Sequence, residues 1–142
     1  MIDGRFPYKK LAKYPHLKPE DIAVWELFIE QNPTEFLTCN YDVACGVGAP
    51  QDPSLPENIQ RDGKILTQKK IDVVGYINND ITIIELKPIA NARALGQLLT
   101  YKDLYIECYP DPPTPKMMVI ANSIEREMQA TFDAQGIVVR TV

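Results

Sequence analysis

Lys69-Lys70-Ile71-Asp72-Val73-Val74-Gly75-Tyr76-Ile77 and Asp80-Ile81-Thr82-Ile83-Ile84-Glu85-Leu86-Lys87 are two β-rich runs separated only by Asn78-Asn79, and Pro88 closes the second. Asparagine tolerates the positive φ that a tight hairpin turn demands, so the stretch reads as an antiparallel hairpin. With the turn at Asn78-Asn79, Ile77 faces Asp80, which carries Asp72 opposite Glu85 and Lys70 opposite Lys87. Side chains alternate along a strand, so Glu85 and Lys87 share one face and Asp72 joins them from the neighbouring strand. Like charges directly opposed on adjacent strands cost a few tenths to about 1 kcal/mol. The apolar neighbours make that cost worse. A cation should therefore offset it: a divalent metal on Asp72 and Glu85 is the simplest, and oxygen-only ligands suggest Mg²⁺ or Mn²⁺ rather than zinc. The plainer alternative has Lys87 and Lys70 neutralising both acids at a solvated strand end.

Upstream of the hairpin, Pro19, Glu20 and Asp21 start a helix with a proline in its first turn and acids near its positive end. It should run to about Gln31, where Asn32-Pro33 stops it. Its apolar stripe is read as Ile22, Trp25 and Ile29 with Phe28 alongside, and Glu26 lies on the edge of that stripe, looking inward or along the sheet. Residues 36–48 suggest a first strand ending in Gly46-Val47-Gly48, and residues 49–63, rich in Pro, Asp, Asn and Gly, a long loop. Downstream, residues 91–109 form a helix with Ala94, Leu95, Leu98, Leu99, Tyr101 and Tyr105 toward the core. Met117 to Ala121 is a buried strand, Ser123 to Ala134 a helix capped by Asn122 or Ser123, and Ile137-Val138-Val139 a last strand. The predicted order is α-β-β-β-α-β-α-β, an α/β domain.

The 142 residues, 45% apolar and 24% charged, suit one compact domain over residues 19–142, preceded by a basic arm over residues 1–18 that packs on it. Cys39, Cys45 and Cys108 are too irregularly spaced for a disulfide framework or a zinc site. No apolar run is long enough to span a bilayer, and no signal-peptide stretch is visible at Met1, so a cytoplasmic chain without membrane attachment is expected. A phage-encoded chain would instead work in the host cytoplasm or virion.

The net charge of −4 is unevenly placed. The arm carries Arg5, Lys9, Lys10, Lys13 and Lys18 against Asp3 alone, and residues 61–70 carry Arg61, Lys64, Lys69 and Lys70 against Asp62 alone, whereas residues 19–60 hold eight acids and no Lys or Arg. The acidic block could face away from a polyanion while the basic clusters touch phosphate, with Lys64, Lys69 and Lys70 the expected contacts. A merely solvated surface would look the same.

The run Ile71-Asp72-Val73-Val74-Gly75-Tyr76, the hairpin, and Ile83-Ile84-Glu85-Leu86-Lys87-Pro88 resemble motifs II and III of the PD-(D/E)xK nuclease superfamily. The preceding helix with Glu26 is similar to its first motif, and Gln97-Leu98-Leu99-Thr100-Tyr101 to the Gln-x-x-x-Tyr motif of RecB-like members. The resemblance spans residues 19 to about 139 and departs at Ile71, where the name-giving proline would stand. It implies a restriction-endonuclease-like mixed sheet flanked by helices, and Mg²⁺- or Mn²⁺-dependent hydrolysis of DNA phosphodiesters. By that resemblance Asp72, Glu85 and the Leu86 carbonyl would hold the metal, with Glu26 on a second ion or a metal-bound water. Lys87 would orient or deprotonate the attacking water. Gln97 and Tyr101, one helical turn apart, would position Lys87 or the phosphate. A chain this short, without an obvious DNA-recognition module, suggests a homodimer or a subunit of a larger assembly such as a phage or mobile-element machine. The alternatives are a catalytically silent nuclease-fold component that binds nucleic acid or serves structurally, and a hydrolase using Cys39 or Cys45 with His16, for which nothing brings histidine and thiol together.

Overall fold

A computed structural model describes residues 3–142; Met1 and Ile2, the start of the basic arm, lie outside the described residues. Along the chain run β1 (Phe6–Pro7), α1 (Pro19–Gln31), β2 (Thr38–Cys45), α2 (Glu57–Thr67), β3 (Lys69–Ile77), β4 (Asp80–Leu86), β5 (Ile89–Ala90), α3 (Ala92–Cys108), β6 (Lys116–Ala121), β7 (Ser123–Ile124), α4 (Gln129–Ala134) and β8 (Ile137–Thr141). The main sheet is ordered β1-β2-β3-β4-β6-β8. Its first half is antiparallel, through β1–β2, β2–β3 and β3–β4, and its second half, β4–β6–β8, is parallel. The backbone order α1-β2-β3-β4-α3-β6-α4-β8 is the expected one, to which the structure adds helix α2 and the two-residue strands β1, β5 and β7.

The sheet buries both faces. Alternation along β4 and β6 sends Ile81, Ile83, Met117, Val119 and Ala121 toward α3 and α4, where they meet Ala94, Leu98, Tyr101, Tyr105 and Phe132. Ile84, Leu86, Met118 and Ile120 go the other way, onto Trp25 and Phe28 of α1. A strand covered on both sides reads as a continuous apolar run; every residue of β4 after Asp80 is buried. The parallel step from β4 to β6 needs a crossover, which α3 supplies. Gly75 allows Phe36 to lie flat on β3, since a Cβ there would sit 2.7 Å from the ring.

The hairpin forms as expected: Asn78 and Asn79 take φ of 50° and 68°, and Ile77 pairs with Asp80. The arm is held to the body through β1, through buried Tyr8 and Tyr14, and through the Tyr8 hydroxyl, which donates to the Asn32 carbonyl at 2.6 Å. Two expectations need correction. Residues 57–63, the last part of the expected loop, belong to helix α2, which runs on to Thr67 and buries none of its residues. Residues 123–134 are not one helix: Ser123–Ile124 pairs in parallel with Ile89–Ala90 as a separate small sheet, and α4 begins only at Gln129. That pairing joins segments far apart in sequence, which local propensity cannot register.

Candidate active site

The β3–β4 ladder stops at Val73–Ile84. One residue further, the Asp72 side chain replaces a backbone acceptor, and its Oδ2 takes a hydrogen bond from the Leu86 N–H at 2.9 Å. Beyond that point β4 leans on β6, with the Lys87 N–H donating to the Ile120 carbonyl at 3.1 Å. The opening left between the strands holds Asp72, Glu85 and Lys87. Ligand sites of α/β sheets favour this position, at the carboxyl ends of parallel strands.

Glu85 is 4% exposed. Its Oε1 lies 3.7 Å from the Lys87 ammonium, and its Oε2 is buried with no hydrogen-bond partner among the described residues. Burial pushes the Glu85 carboxyl well above its ordinary range, and the neighbouring Asp72 charge pushes it further. Burial likewise raises Asp72, opposed by the Leu86 N–H and aided by the charge of Asp21. Both carboxyls are thus held where ionisation is costly, close enough to share a hydrogen bond, and the Glu85 Oε2 has no other donor among the described residues. An orphaned buried acceptor calls for an absent partner.

The surrounding cavity, about 450 Å³, is walled by Lys18, Asp21, Asp72, Glu85, Leu86, Lys87, Arg93, Gln97 and Tyr101 among others. The first turns of α1 and α3 converge on it from opposite faces of the sheet. Gln97 donates from Nε2 toward the Tyr101 hydroxyl at 3.4 Å, while its Oε1 is buried and unpartnered among the described residues. Burial, then the charges of Glu85 and Asp72, push the Tyr101 phenol up to about 12, so it keeps its proton and remains a donor.

Of the residues singled out from sequence, Asp72, Glu85, Leu86, Lys87, Gln97 and Tyr101 meet at this cavity. Glu26 does not, which corrects the expectation that it faces a metal: its Oε2 accepts from the Tyr14 hydroxyl of the arm at 2.9 Å, and it is not among the residues that line the cavity. Asp21 takes that place in the cavity wall. Its carboxyl is raised by burial and by Glu20, and the charges of Lys18 and Lys87 lower it. Helix phase explains the exchange. At about 100° per residue from Asp21, the buried Val24, Trp25, Phe28 and Ile29 fall at about −60°, 40°, −20° and 80°, whereas Glu26 falls at about 140°. A stripe built on Ile22 is rotated away from the buried one, since Ile22 is only half-buried. Centring it on Trp25 and Phe28 points to Asp21.

The expected phosphate contacts separate. Lys69 lines a second cavity beside the first, and Lys64 is exposed on α2. Lys70 is drawn away from both: its ammonium donates to the Ile65 carbonyl and, at 3.2 Å, to the Gln68 carbonyl, capping the C-terminal end of α2. Its expected place opposite Lys87 does not form because the ladder has already ended. Cys39 and Cys45 are buried, with thiols pushed up by desolvation, and His16 stands beside Asp42, so no cysteine–histidine pair forms.

No protein-family model matches this chain, and no curated protein does. Among solved structures it is similar to a repair endonuclease from Pyrococcus abyssi, with a TM-score of 0.55 and 20% identity over 92% of this chain and 49% of that one. It is also similar to EndoMS in an EndoMS–dsDNA2 complex, with a TM-score of 0.51 and 16% identity over 94% of this chain and 49% of that one. The chain therefore spans about half the length of the structures it matches. At such identities the likeness is one of fold: the helix-flanked mixed sheet is the endonuclease-like core expected from sequence. No helix among the described residues is long and apolar enough to cross a membrane.

Proposed function

We propose that this chain is a divalent-metal-dependent nuclease of the PD-(D/E)xK type, hydrolysing phosphodiester bonds in DNA. The observation that carries this reading is the buried Asp72–Glu85 pair with an unpartnered Glu85 Oε2, raised carboxyls and a lysine beside it. The likeness in fold to a repair endonuclease and to a DNA-bound EndoMS supports it.

The donor set, carboxylates and the Leu86 carbonyl, is all hard oxygen and fits Mg²⁺ or Mn²⁺. Asp72, Glu85 and Leu86 would hold the ion, with Asp21 as the further acid on its rim. A metal bound there would acidify water and polarise the phosphate. The chain's own groups do the rest. Lys87, half-buried beside Glu85, can orient the attacking water through its ammonium and offset charge that builds on the phosphate oxygens. Tyr101, kept protonated, can donate to a phosphate oxygen, and Gln97 fixes the direction of that hydroxyl.

A second reading has one observation in its favour: among the described residues no three His, Cys, Asp or Glu side chains close into a metal-binding group. A nuclease-fold component that binds DNA without cutting, as a homodimer or within a larger assembly, would look like this. Incubation with supercoiled, linear and branched DNA in Mg²⁺, Mn²⁺ or chelator separates the two. Metal-dependent cutting that Asp72→Asn abolishes is the expected result; binding without cutting in every metal would leave the second reading.

A further inference from the structure

The site cavity does not end at Tyr101. Arg93, Gln97 and Tyr101 form a common wall with a second cavity of about 270 Å³, completed by Lys69, Gly96 and Thr100. Arg93, Gly96, Gln97 and Thr100 lie three or four residues apart, so they make one face of α3. Neither Arg93 nor Lys69 has an ion-pair partner among the described residues, and both are exposed. In a chain of net charge −4, two unspent cations meet over one hollow beside the buried acids.

Gly96 is the second observation. It lies inside a 17-residue helix, where glycine costs roughly 0.5–1 kcal/mol relative to alanine. Nothing in the fold asks for it: a Cβ placed there would find no atom within 4 Å, and its φ is not in the left-handed region. The contrast with Gly75, whose missing Cβ makes room for Phe36, is direct. A bare patch of helix, flanked by free cations and unneeded by the protein's own packing, suits the close approach of something outside the chain.

We infer that Arg93, Lys69 and the bare surface at Gly96 form a subsite for the phosphodiester neighbouring the one at Asp72 and Glu85, with the polynucleotide backbone lying against α3. This rests on the nuclease reading for the identity of the ligand. Arg93 and Lys69 neutralise the phosphate; Gly96 lets the sugar–phosphate chain reach the helix. Thr100 does not contribute a donor, because its hydroxyl is used on the Gly96 carbonyl at 2.8 Å.

The test measures binding in chelator of a fluorescent duplex oligonucleotide across a salt series, with thermal unfolding of each variant. On a duplex, removing one phosphate-binding cation should lower the slope of log affinity against log salt by about 0.9, so Lys69→Gln with Arg93→Gln should flatten it by roughly 1.8. Gly96→Ala should melt no lower than wild type yet bind several-fold more weakly, and Gly96→Leu more weakly still. That pairing of retained stability with weakened affinity is what a purely structural glycine would not give. Wild-type slope in the double variant together with wild-type affinity in Gly96→Ala would overturn the subsite. So would a mononucleotide bound as tightly as the oligonucleotide. The nuclease reading fails separately: if the variants lose affinity as stated but no metal elicits cutting by wild type, the subsite stands and the chemistry does not.

Discussion

Two charged clusters in this molecule are built from similar parts and finished differently. Arg140 of β8 donates to Glu35 at 2.8 Å and to Asn32 at 2.6 Å, and its guanidinium stacks over Phe28 at 5.2 Å from the ring centre. Its charge is fully used in tying the last strand to the end of α1. At Asp72, Glu85 and Lys87 the ion pair spans 3.7 Å, one carboxylate oxygen has no partner among the described residues, and both acids are held above their ordinary range by burial. Charge that is satisfied within the fold stabilises the fold. Charge left unsatisfied in a cavity costs stability and is useful only when something else arrives.

The largest expected effect is on chemistry. Lys87→Ala should keep the fold but reduce cleavage by roughly 100-fold or more, the range for a positioned proton-transfer or electrostatic group. Lys87→Arg should not rescue it, because a guanidinium does not give up its proton. Arg140→Ala, assayed well below its melting temperature, should cut as wild type does. Equal loss of cutting in the two variants would erase the distinction between the clusters.

Stability should respond the other way round. Arg140→Ala should lose about 1.5 kcal/mol in denaturant unfolding, the low end for hydrogen bonds to a charged group, because the side chain is 32% exposed. Lys87→Ala should lose less, since its single ion pair is loose.

The carboxylate pair adds a pH dependence of defined sign. The folded state holds the Glu85 and Asp72 protons more tightly than the unfolded chain does. Their contribution to stability, measured without metal, therefore grows as pH falls through the raised values and is complete in the ordinary carboxyl range near 4. The difference in unfolding free energy between wild type and Glu85→Gln should rise in the wild type's favour across that window. A pH-independent difference would mean that Glu85 is not strained.

The smallest effect belongs to α2, which buries nothing. Leu66, 82% exposed, should tolerate Leu66→Ser within about 0.5 kcal/mol. A larger loss would show that Leu66 packs against the body after all.

The contrast also explains what can be read from sequence. The hairpin is legible because Asn78-Asn79 fixes its register, which carries Asp72 toward Glu85 although the ladder itself ends one pair earlier, at Val73–Ile84. α3 is legible because its buried face repeats at helical spacing through Ala94, Leu98, Tyr101 and Tyr105. α2 is not, because Pro53, Pro56 and Gly63 look like loop and none of its residues is buried in the core that organises the other helices. The pairing of Ile89–Ala90 with Ser123–Ile124 depends on how α3 and β6 close in space. Asp21 is within reach of the sequence and is hidden only by a phase error: an acid on the most buried line of α1 carries more meaning than one beside it.

The metal is tested most directly by thermal unfolding of wild type and Asp72→Asn in chelator, then in rising Mg²⁺ or Mn²⁺. A ligand bound only by the folded state stabilises by roughly 2.7 kcal/mol at 100 times its Kd, so the wild-type melting temperature should climb with metal. Asp72→Asn should melt higher than wild type in chelator, its repulsion with Glu85 removed, and should not respond to metal. A wild-type melting temperature indifferent to Mg²⁺, Mn²⁺ and chelator would contradict a metal site at Asp72 and Glu85.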